Sequence, residues 1–226
     1  IIWLVYVSPN KTIQQEVIAM YIYAFGSLCR GEIDFHSDID LLIIADKEKL
    51  NLLDKIKYSL YTPQRILELW KEGNPFAWHL FFESKMIFSA DKTDFIKAIG
   101  APQKYSNVLA DCKKFYYIFQ ESRKSLNNDL NSAIFDLSSI FLCIRNIATC
   151  FSFYKYETPI FSRNSAFMID KHNLHIDQSV YNIYERSRII STRGLGNIPS
   201  DRDILLAKSS LGLIDKWMIS LIEGIK

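Results

Sequence analysis

The chain has 226 residues, of which 49% are hydrophobic and 23% are charged, the composition of a folded globular protein rather than of a disordered one. Its formal net charge is +2, so no strong basic field supports a nucleic-acid partner. No uninterrupted apolar run has the ~20 residues that a membrane span needs, and the short apolar opening lacks the basic leader of a signal peptide. Together with four cysteines that form no C-x-x-C pair, these features predict a cytoplasmic protein without a membrane partner.

The first hundred residues predict alternating strands and helices. Apolar runs rich in β-branched and aromatic residues indicate strands, and apolar residues three and four positions apart indicate helices. On these patterns we expect strands at 1–7, 21–25, 41–44 and 58–62, an extended pair within 76–89, and helices at 11–20, 46–57, 64–72 and 94–99. Residues 1–100 are therefore predicted to form an α+β domain, in which a small mixed sheet is flanked by helices.

Residues 101–226 have a different pattern, and they begin with a linker signal at Ala101 and Pro102. Long helical patterns of apolar residues occupy 104–126, 130–154 and 201–225. The second of these segments is apolar over most of its circumference, as the central helix of a bundle is. The second half is therefore predicted to be an all-helical bundle domain.

One glycine-serine turn and the strand that follows it carry the candidate chemistry. Side chains i and i+2 of a strand share a face, so Asp38 and Asp40 are expected to point the same way. Such a pair repels unless a cation lies between the carboxylates, and Mg²⁺ is a hard cation that takes one or two carboxylates together with substrate phosphates. Gly26 lets the backbone approach a ligand, Ser27 offers a hydroxyl, and Arg30 offers a forked cation for phosphate oxygens.

The spacing Gly-Ser-x10-Asp-x-Asp, with Arg30-Gly31 and Ser37 in between, resembles the nucleotidyltransferase superfamily of DNA polymerase beta. It looks most like the minimal and the kanamycin nucleotidyltransferase-like branches. The alternative interpretation of the same residues is a chance acidic turn between two core strands. The resemblance implies the nucleotidyltransferase fold for about the first hundred residues, with a helical bundle fused behind it.

The resemblance also implies an activity. A magnesium-dependent nucleotidyltransferase would move a nucleoside monophosphate, AMP or another nucleotide, from a nucleoside triphosphate to a hydroxyl group on a small molecule or a protein. Asp38 and Asp40 would hold Mg²⁺ and carry the catalysis. Gly26, Ser27 and Arg30 would bind the phosphates of the triphosphate, and the acceptor would lie between the two domains.

A second function remains open because one expected residue is missing. Active relatives place a third carboxylate on the next strand, whereas the segment KIKYSLYT contains no acid. The nearest acids, Asp54 and Glu68, are predicted in flanking helices, and Glu83 reaches the site only if the sheet order brings its strand there. The alternative is a nucleotide-binding or antitoxin-like protein that uses the same fold without turnover. A protein partner or a homodimer is open in both cases.

The histidines give weaker signals than this motif. His79 lies in the apolar run WHLFF, which favours a hydrogen-bonded core residue in a strand over a catalyst. His36, just before the motif, is expected to be an exposed loop residue. His172 and His175 have the spacing of a metal-ligand pair but lack a third firm ligand, so a polar loop is favoured.

Two groups of arginines have alternative interpretations. Arg145-Asn146 resembles the start of an RNase motif found in toxin-type helical domains, but the segment lacks the His that this motif needs for acid–base chemistry. A buried or interface cation is therefore favoured for Arg145. Arg186, Arg188 and Arg193 form a basic patch, which is either a solvated surface or a wall of the nucleotide cleft.

Overall fold

A computed structural model of the chain describes residues 20–32 and 39–225. The predicted strand at 1–7 lies outside the described residues, as does the predicted helix at 11–20 except for Met20, which begins a strand. The elements are β1 (Met20–Phe25), α1 (Ser27–Arg30), β2 (Asp40–Ala45), α2 (Lys47–Leu50), β3 (Ser59–Tyr61), α3 (Pro63–Lys71), α4 (Pro75–Glu83), β4 (Ser84–Ser89), α5 (Phe95–Ile99), α6 (Val108–Asn128), α7 (Ala133–Tyr156), α8 (Gln178–Arg193) and α9 (Asp201–Glu223). Two short 3₁₀ turns lie between α7 and α8.

The strands form one mixed sheet, as predicted. Their order is β3-β2-β1-β4, with β1 antiparallel to both β2 and β4, and β2 parallel to β3. Alternate side chains of β1 and β2, such as Tyr23 and Leu42, pack against α3, α4 and α5, while their neighbours face the opposite side with α2. The fold is therefore the predicted small sheet with flanking helices, followed by a helical region.

The extended pair predicted within 76–89 is wrong in its first half, because Pro75–Glu83 is the helix α4. The side chain of Asn74 caps it by accepting a hydrogen bond from the backbone N–H of Phe76 at 2.9 Å. Pro75 occupies the first helical turn, where its missing N–H leaves no intrahelical bond unmade. Only the second half of the pair is a strand, β4.

The helix predicted at 46–57 is also too long, since α2 covers only Lys47–Leu50. Beyond it, a carboxylate oxygen of Asp54 accepts a hydrogen bond from the backbone N–H of Ile56 at 2.9 Å. This local turn competes with helix formation. Ile56, which lies within the predicted helix, is 97% exposed.

The helical half is built around α7, which is buried among α6, α8 and α9. The sequence patterns predicted α6, α7 and α9 but not α8, whose buried stripe includes Val180, Ile183, Tyr184 and Ser187. Among the described residues, only α7 is long and apolar enough to cross a membrane, and 67% of its most apolar window is buried inside the fold. A bundle's central helix has the same length and composition.

The two halves meet along α4. Trp78 packs edge-on against Phe153 of α7 with ring centroids 5.6 Å apart, and its indole N–H donates to the carbonyl of Gln103 at 3.1 Å. His79, the next residue, stacks on Phe161 at 4.4 Å. The largest hydrophobic cluster begins at Tyr105 and the two smaller ones lie before residue 100. The predicted domain boundary falls between them and stays a prediction.

The four cysteines are free thiols with two different environments. Cys112, Cys143 and Cys150 are buried in the helical half. Cys29 is partly exposed on α1, and its thiol lies 3.3 Å from the carbonyl oxygen of Ala24. Burial therefore protects three of the four thiols.

Candidate active site

The turn after β1 is shaped by Gly26. Its φ is 73° and its ψ is −138°, a conformation that residues with a Cβ adopt only with strain. The Gly26 carbonyl accepts hydrogen bonds from the backbone N–H groups of Cys29 and Arg30 at 3.0 and 3.2 Å. The chain thereby turns at once into α1, so that Ser27 and Arg30 line the same cavity as Gly26.

Asp40 lies directly beside this turn. It is the first residue of β2 and is paired with Phe25, the last residue of β1. A Cβ placed on Gly26 would lie only 3.0 Å from the Oδ2 atom of Asp40. The carboxylate therefore packs against bare glycine backbone. Asp38, the other predicted metal ligand, lies outside the described residues.

A cavity of about 390 Å³ opens between this turn and the helical half. The first half contributes Gly26, Ser27, Arg30, Asp40 and His79, and α7 and α8 contribute Arg145, Arg188 and Arg193. Arg163 also lines the cavity and pairs with Glu185 at 2.9 Å. The predicted phosphate residues and one predicted metal ligand thus share a cleft with arginines of the second half.

The arginines that α7 and α8 contribute to the cavity, Arg145, Arg188 and Arg193, form an arginine wall in which like charges lie close together. Burial lowers the pKa of Arg145, and the nearby charges of Arg30 and Arg188 lower it further. Burial also lowers the pKa of Arg188, with a contribution from Arg193. Within the described part of the chain, the buried Nε of Arg145 has no hydrogen-bond partner. Cations gathered in a desolvated cleft favour the binding of an anion.

Arg30 is already paired with two acids. Its Nε donates to Glu32 at 2.9 Å, and its Nη1 contacts the carboxylate of Glu83. Burial alone would raise the pKa of Glu83, but the hydrogen bond from His79 and the charge of Arg30 outweigh it, so that the pKa is lowered. A phosphate bound by Arg30 would have to share this guanidinium with the two acids or replace them.

His79 is not the strand residue that the sequence predicted. It lies on α4, lines the cavity, and places its Nε2 atom 3.0 Å from the Oε2 of Glu83, four residues later on the same helix face. Its ring is packed by Phe25, Phe76 and Phe161. The cap signal at Asn74 and Pro75 was the feature that could have identified this helix, and with it the position of His79.

The remaining candidates lie elsewhere or do not assemble. Strand β3, Ser59–Tyr61, contributes no acid, and Glu68 is an exposed partner of Arg65. Of the residues in the basic patch, Arg186 pairs with Asp203 at 2.9 Å, whereas Arg188 and Arg193 line the cavity. No cluster of three or more His, Cys, Asp or Glu side chains suited to a metal ion occurs in 20–32 and 39–225.

The described donors fit a metal that arrives with a phosphate ligand. Asp40 supplies one carboxylate at the rim of a cleft whose other walls carry cations. Mg²⁺ commonly takes one or two protein carboxylates and fills its other positions with water and substrate phosphates. The glycine beside Asp40 leaves room for such a group, since a side chain at position 26 would press on Oδ2.

Residues 10–93 match the family described as polymerase beta, nucleotidyltransferase, which confirms the resemblance found in the sequence. No curated protein is significantly similar to this chain in sequence. One solved structure of similar fold is a spectinomycin adenyltransferase from Enterococcus faecialis with ATP and spectinomycin. The match has 12% identity and a TM-score of 0.45, and it covers 89% of this chain and 93% of that chain. Identity and structural similarity this low establish neither a shared substrate nor a shared activity.

Proposed function

Because residues 10–93 match the family described as polymerase beta, nucleotidyltransferase, we propose that the protein transfers AMP from ATP to a hydroxyl group of a small molecule or a protein, with Mg²⁺ as the metal. One observation carries the proposal. The Asp40 carboxylate packs against the Gly26 turn in a cleft to which the helical half contributes Arg145, Arg188 and Arg193. A metal-binding acid facing a cationic wall is the arrangement that a metal–triphosphate needs.

The chain's own residues would act mainly by position and charge. Ser27 and Arg30 on one wall, and Arg145 and Arg188 on the other, would bind phosphate oxygens. Asp40, together with Asp38, would hold Mg²⁺. The metal, when bound, would neutralise charge on the phosphates. Phosphoryl transfer depends largely on such alignment and on stabilisation of charge that spreads over the phosphate oxygens.

A second candidate is a nucleotide-binding protein without turnover, acting in the manner of an antitoxin. The observation that favours it is the absence of an acid from Ser59–Tyr61, the strand on which active relatives carry their third carboxylate. Loss of a general base slows a reaction by roughly 10²–10⁴-fold, while binding through arginines and Mg²⁺ would survive it.

The test compares the wild type with Asp40→Asn, and with Asp46→Asn as a matched control on an exposed acid outside the cavity. Pyrophosphate release from labelled ATP is measured with Mg²⁺ and a panel of sugars, glycerol and hydroxyl-bearing proteins, and ATP binding is measured by calorimetry. We expect release by the wild type and by Asp46→Asn, and its loss in Asp40→Asn. Binding without release in the wild type would favour the second candidate. Neither binding nor release would refute both.

A further inference from the structure

A second cavity, of about 280 Å³, adjoins the first between α4 and the helical half. Its lining includes the rings of three phenylalanines and several polar side chains, among them Phe76, Phe115, Phe161, Asn74, Asp111 and Asn146. Two residues, His79 and Arg145, line both cavities. These two side chains therefore stand where the arginine-rich cleft and the aromatic cavity meet.

The second cavity has the lining of a small-molecule site. Aromatic faces bind flat or ring-shaped apolar surfaces, and a few fixed polar groups orient the hydroxyls of a ligand. Asp111 is held in place, because the hydroxyl of Tyr105 donates to its Oδ2 at 2.6 Å. Asn146 on α7 adds an amide that both donates and accepts hydrogen bonds. A hydroxyl-bearing molecule with an apolar ring face matches this lining.

His79 lines both cavities and lies beside the Gly26 turn. Its Cε1 atom lies 3.8 Å from the position that a Cβ of Gly26 would occupy, and the Oδ2 atom of Asp40 lies 3.0 Å from the same position. Its Nε2 faces Glu83 at 3.0 Å, although the ring N–H is not well aligned with that carboxylate. Catalytic hydrogen bonds are often poorly aligned before substrate binds. A proton on Nε2 directed at Glu83 leaves Nδ1 as the acceptor nitrogen.

We propose that the second cavity binds the hydroxyl acceptor, and that His79, positioned by Glu83, is the general base that replaces the acid missing from β3. This inference rests on the proposed nucleotidyl transfer and adds its acceptor site and its base. It makes His79 a catalytic residue, which touches the reacting hydroxyl, and Glu83 a positioning residue, which acts through His79.

The acceptor hydroxyl loses its proton to Nδ1 of His79, and its oxygen forms a bond to the α-phosphorus of ATP. The bond from that phosphorus to the bridging oxygen of the β-phosphate breaks, and pyrophosphate leaves with the electron pair. The imidazolium that forms is stabilised by the carboxylate of Glu83, and its proton is later released to water.

Charged groups on several elements share a cavity with His79. Glu83 is on its own helix, Arg30 on α1 contacts Glu83, and Arg145 on α7 lines both cavities with the ring. The first cavity is also lined by Asp40 of β2 and by Glu185, Arg188 and Arg193 of α8, and the second by Asp111 of α6. A pH-dependent rate can therefore be assigned to His79 only by comparison with a variant that lacks the imidazole.

The experiment uses the full chain with ATP, Mg²⁺ and molar glycerol, a hydroxyl donor small enough for the second cavity. Pyrophosphate release is compared between wild type, His79→Gln and Glu83→Gln, with His175→Gln as a matched control at an exposed histidine outside both cavities. A fourth variant, Asn146→Trp, fills the second cavity alone. ATP affinity is measured by calorimetry and folding by urea unfolding. Asn146→Leu, which adds a smaller apolar side chain, replaces Asn146→Trp if the tryptophan variant does not fold.

We expect kcat to fall by about 10²–10⁴-fold in His79→Gln and by less in Glu83→Gln, with ATP affinity not reduced in either. The wild-type rate should fall at acidic pH, and this limb should be absent from His79→Gln. Asn146→Trp should lose turnover and keep ATP binding, and His175→Gln should match the wild type. If His79→Gln or Asn146→Trp turns over within threefold of the wild-type rate, this inference is overturned and the proposed function still stands. No release by the wild type would overturn the proposed function as well.

Discussion

Replacing Gly26 with alanine should lower both the free energy of unfolding and the affinity for ATP, and the two losses can be measured separately. At this position φ is 73° and ψ is −138°, a region that side-chain-bearing residues adopt at a cost of about 1–3 kcal/mol. The new Cβ would also lie 3.0 Å from Oδ2 of Asp40, so that the carboxylate must retreat by a few tenths of an ångström. That movement is easy for an exposed side chain, but it displaces the proposed metal ligand.

Gly100→Ala is the matched control. Gly100 has φ 71° and ψ −159°, close to the backbone conformation of Gly26, yet no atom lies within 4 Å of the Cβ that it would gain. Both variants should therefore lose a similar free energy of unfolding, about 1–3 kcal/mol, measured by urea titration. Only Gly26→Ala should also lose affinity for ATP in the presence of Mg²⁺, by about 10–100-fold, the range seen when groups that orient metal ligands are disturbed.

The deciding measurement is a calorimetric titration of folded Gly26→Ala and folded Gly100→Ala with ATP and Mg²⁺. Equal affinities in Gly26→Ala and Gly100→Ala would refute the reasoning, because they would show that the position of the Asp40 carboxylate does not affect the ligand. A selective loss in Gly26→Ala would tie the glycine to the site rather than to the stability of the fold.

Three further predictions concern stability and charge. Arg145→Met should leave the midpoint of urea unfolding unchanged or raise it, because the substitution removes a buried cation. Calorimetry should show about 10–100-fold weaker ATP binding, because a charged contact is lost. A lower urea midpoint would contradict the stability prediction. Hydrogen bonds, those from Thr93 first, hold the pKa of Asp91 below its usual range. The ionised carboxylate therefore contributes its full stabilisation of the fold above about pH 4, and this contribution is lost as the pH falls further. Asp91→Asn should make the melting temperature less dependent on pH in the acidic range, and an unchanged dependence would refute the assignment. Ser200→Ala removes the cap of α9, whose hydroxyl accepts from the N–H of Asp203, and should cost about 1 kcal/mol in urea unfolding without changing ATP affinity.

The sequence was most informative where local pattern and tertiary packing agree. Strands β1 and β2 are buried on both faces, so the strand at 21–25 could be recognised from its apolar run, and the motif that ends at Asp40 from its resemblance to a known family. The long helices α6, α7 and α9 were also predictable, because one or more of their faces is continuously apolar.

The position of His79 could not be read from periodicity. Helix α4 is buried on one side by the sheet, through Ala77 and Leu80, and on another by the helical half, through Trp78. An apolar helix with two buried sides has neither the alternation of a strand nor the single stripe of a surface helix. Its cap residues, Asn74 and Pro75, are the remaining signal in the sequence.

The arginine wall could be predicted only in part. The sequence left Arg188 and Arg193 either on a solvated surface or in the wall of a nucleotide cleft. In the structure, Arg145 lies on the central helix, and Arg188 and Arg193 lie on a helix that the sequence patterns missed. Each meets the Gly26 turn only through the packing of the two halves, and residues brought together from distant segments leave no local spacing that decides between the two interpretations.

The unequal burial of the thiols provides a built-in reporter. Cys29 is partly exposed on the turn that should contact phosphate, whereas the other three thiols are enclosed by the bundle. An alkylating reagent should therefore modify Cys29 first, and occupancy of the cleft by a triphosphate should slow that modification. Modification of the remaining three would time the opening of the helices, so that a single mass-spectrometric experiment could follow ligand occupancy and unfolding in the unmodified sequence.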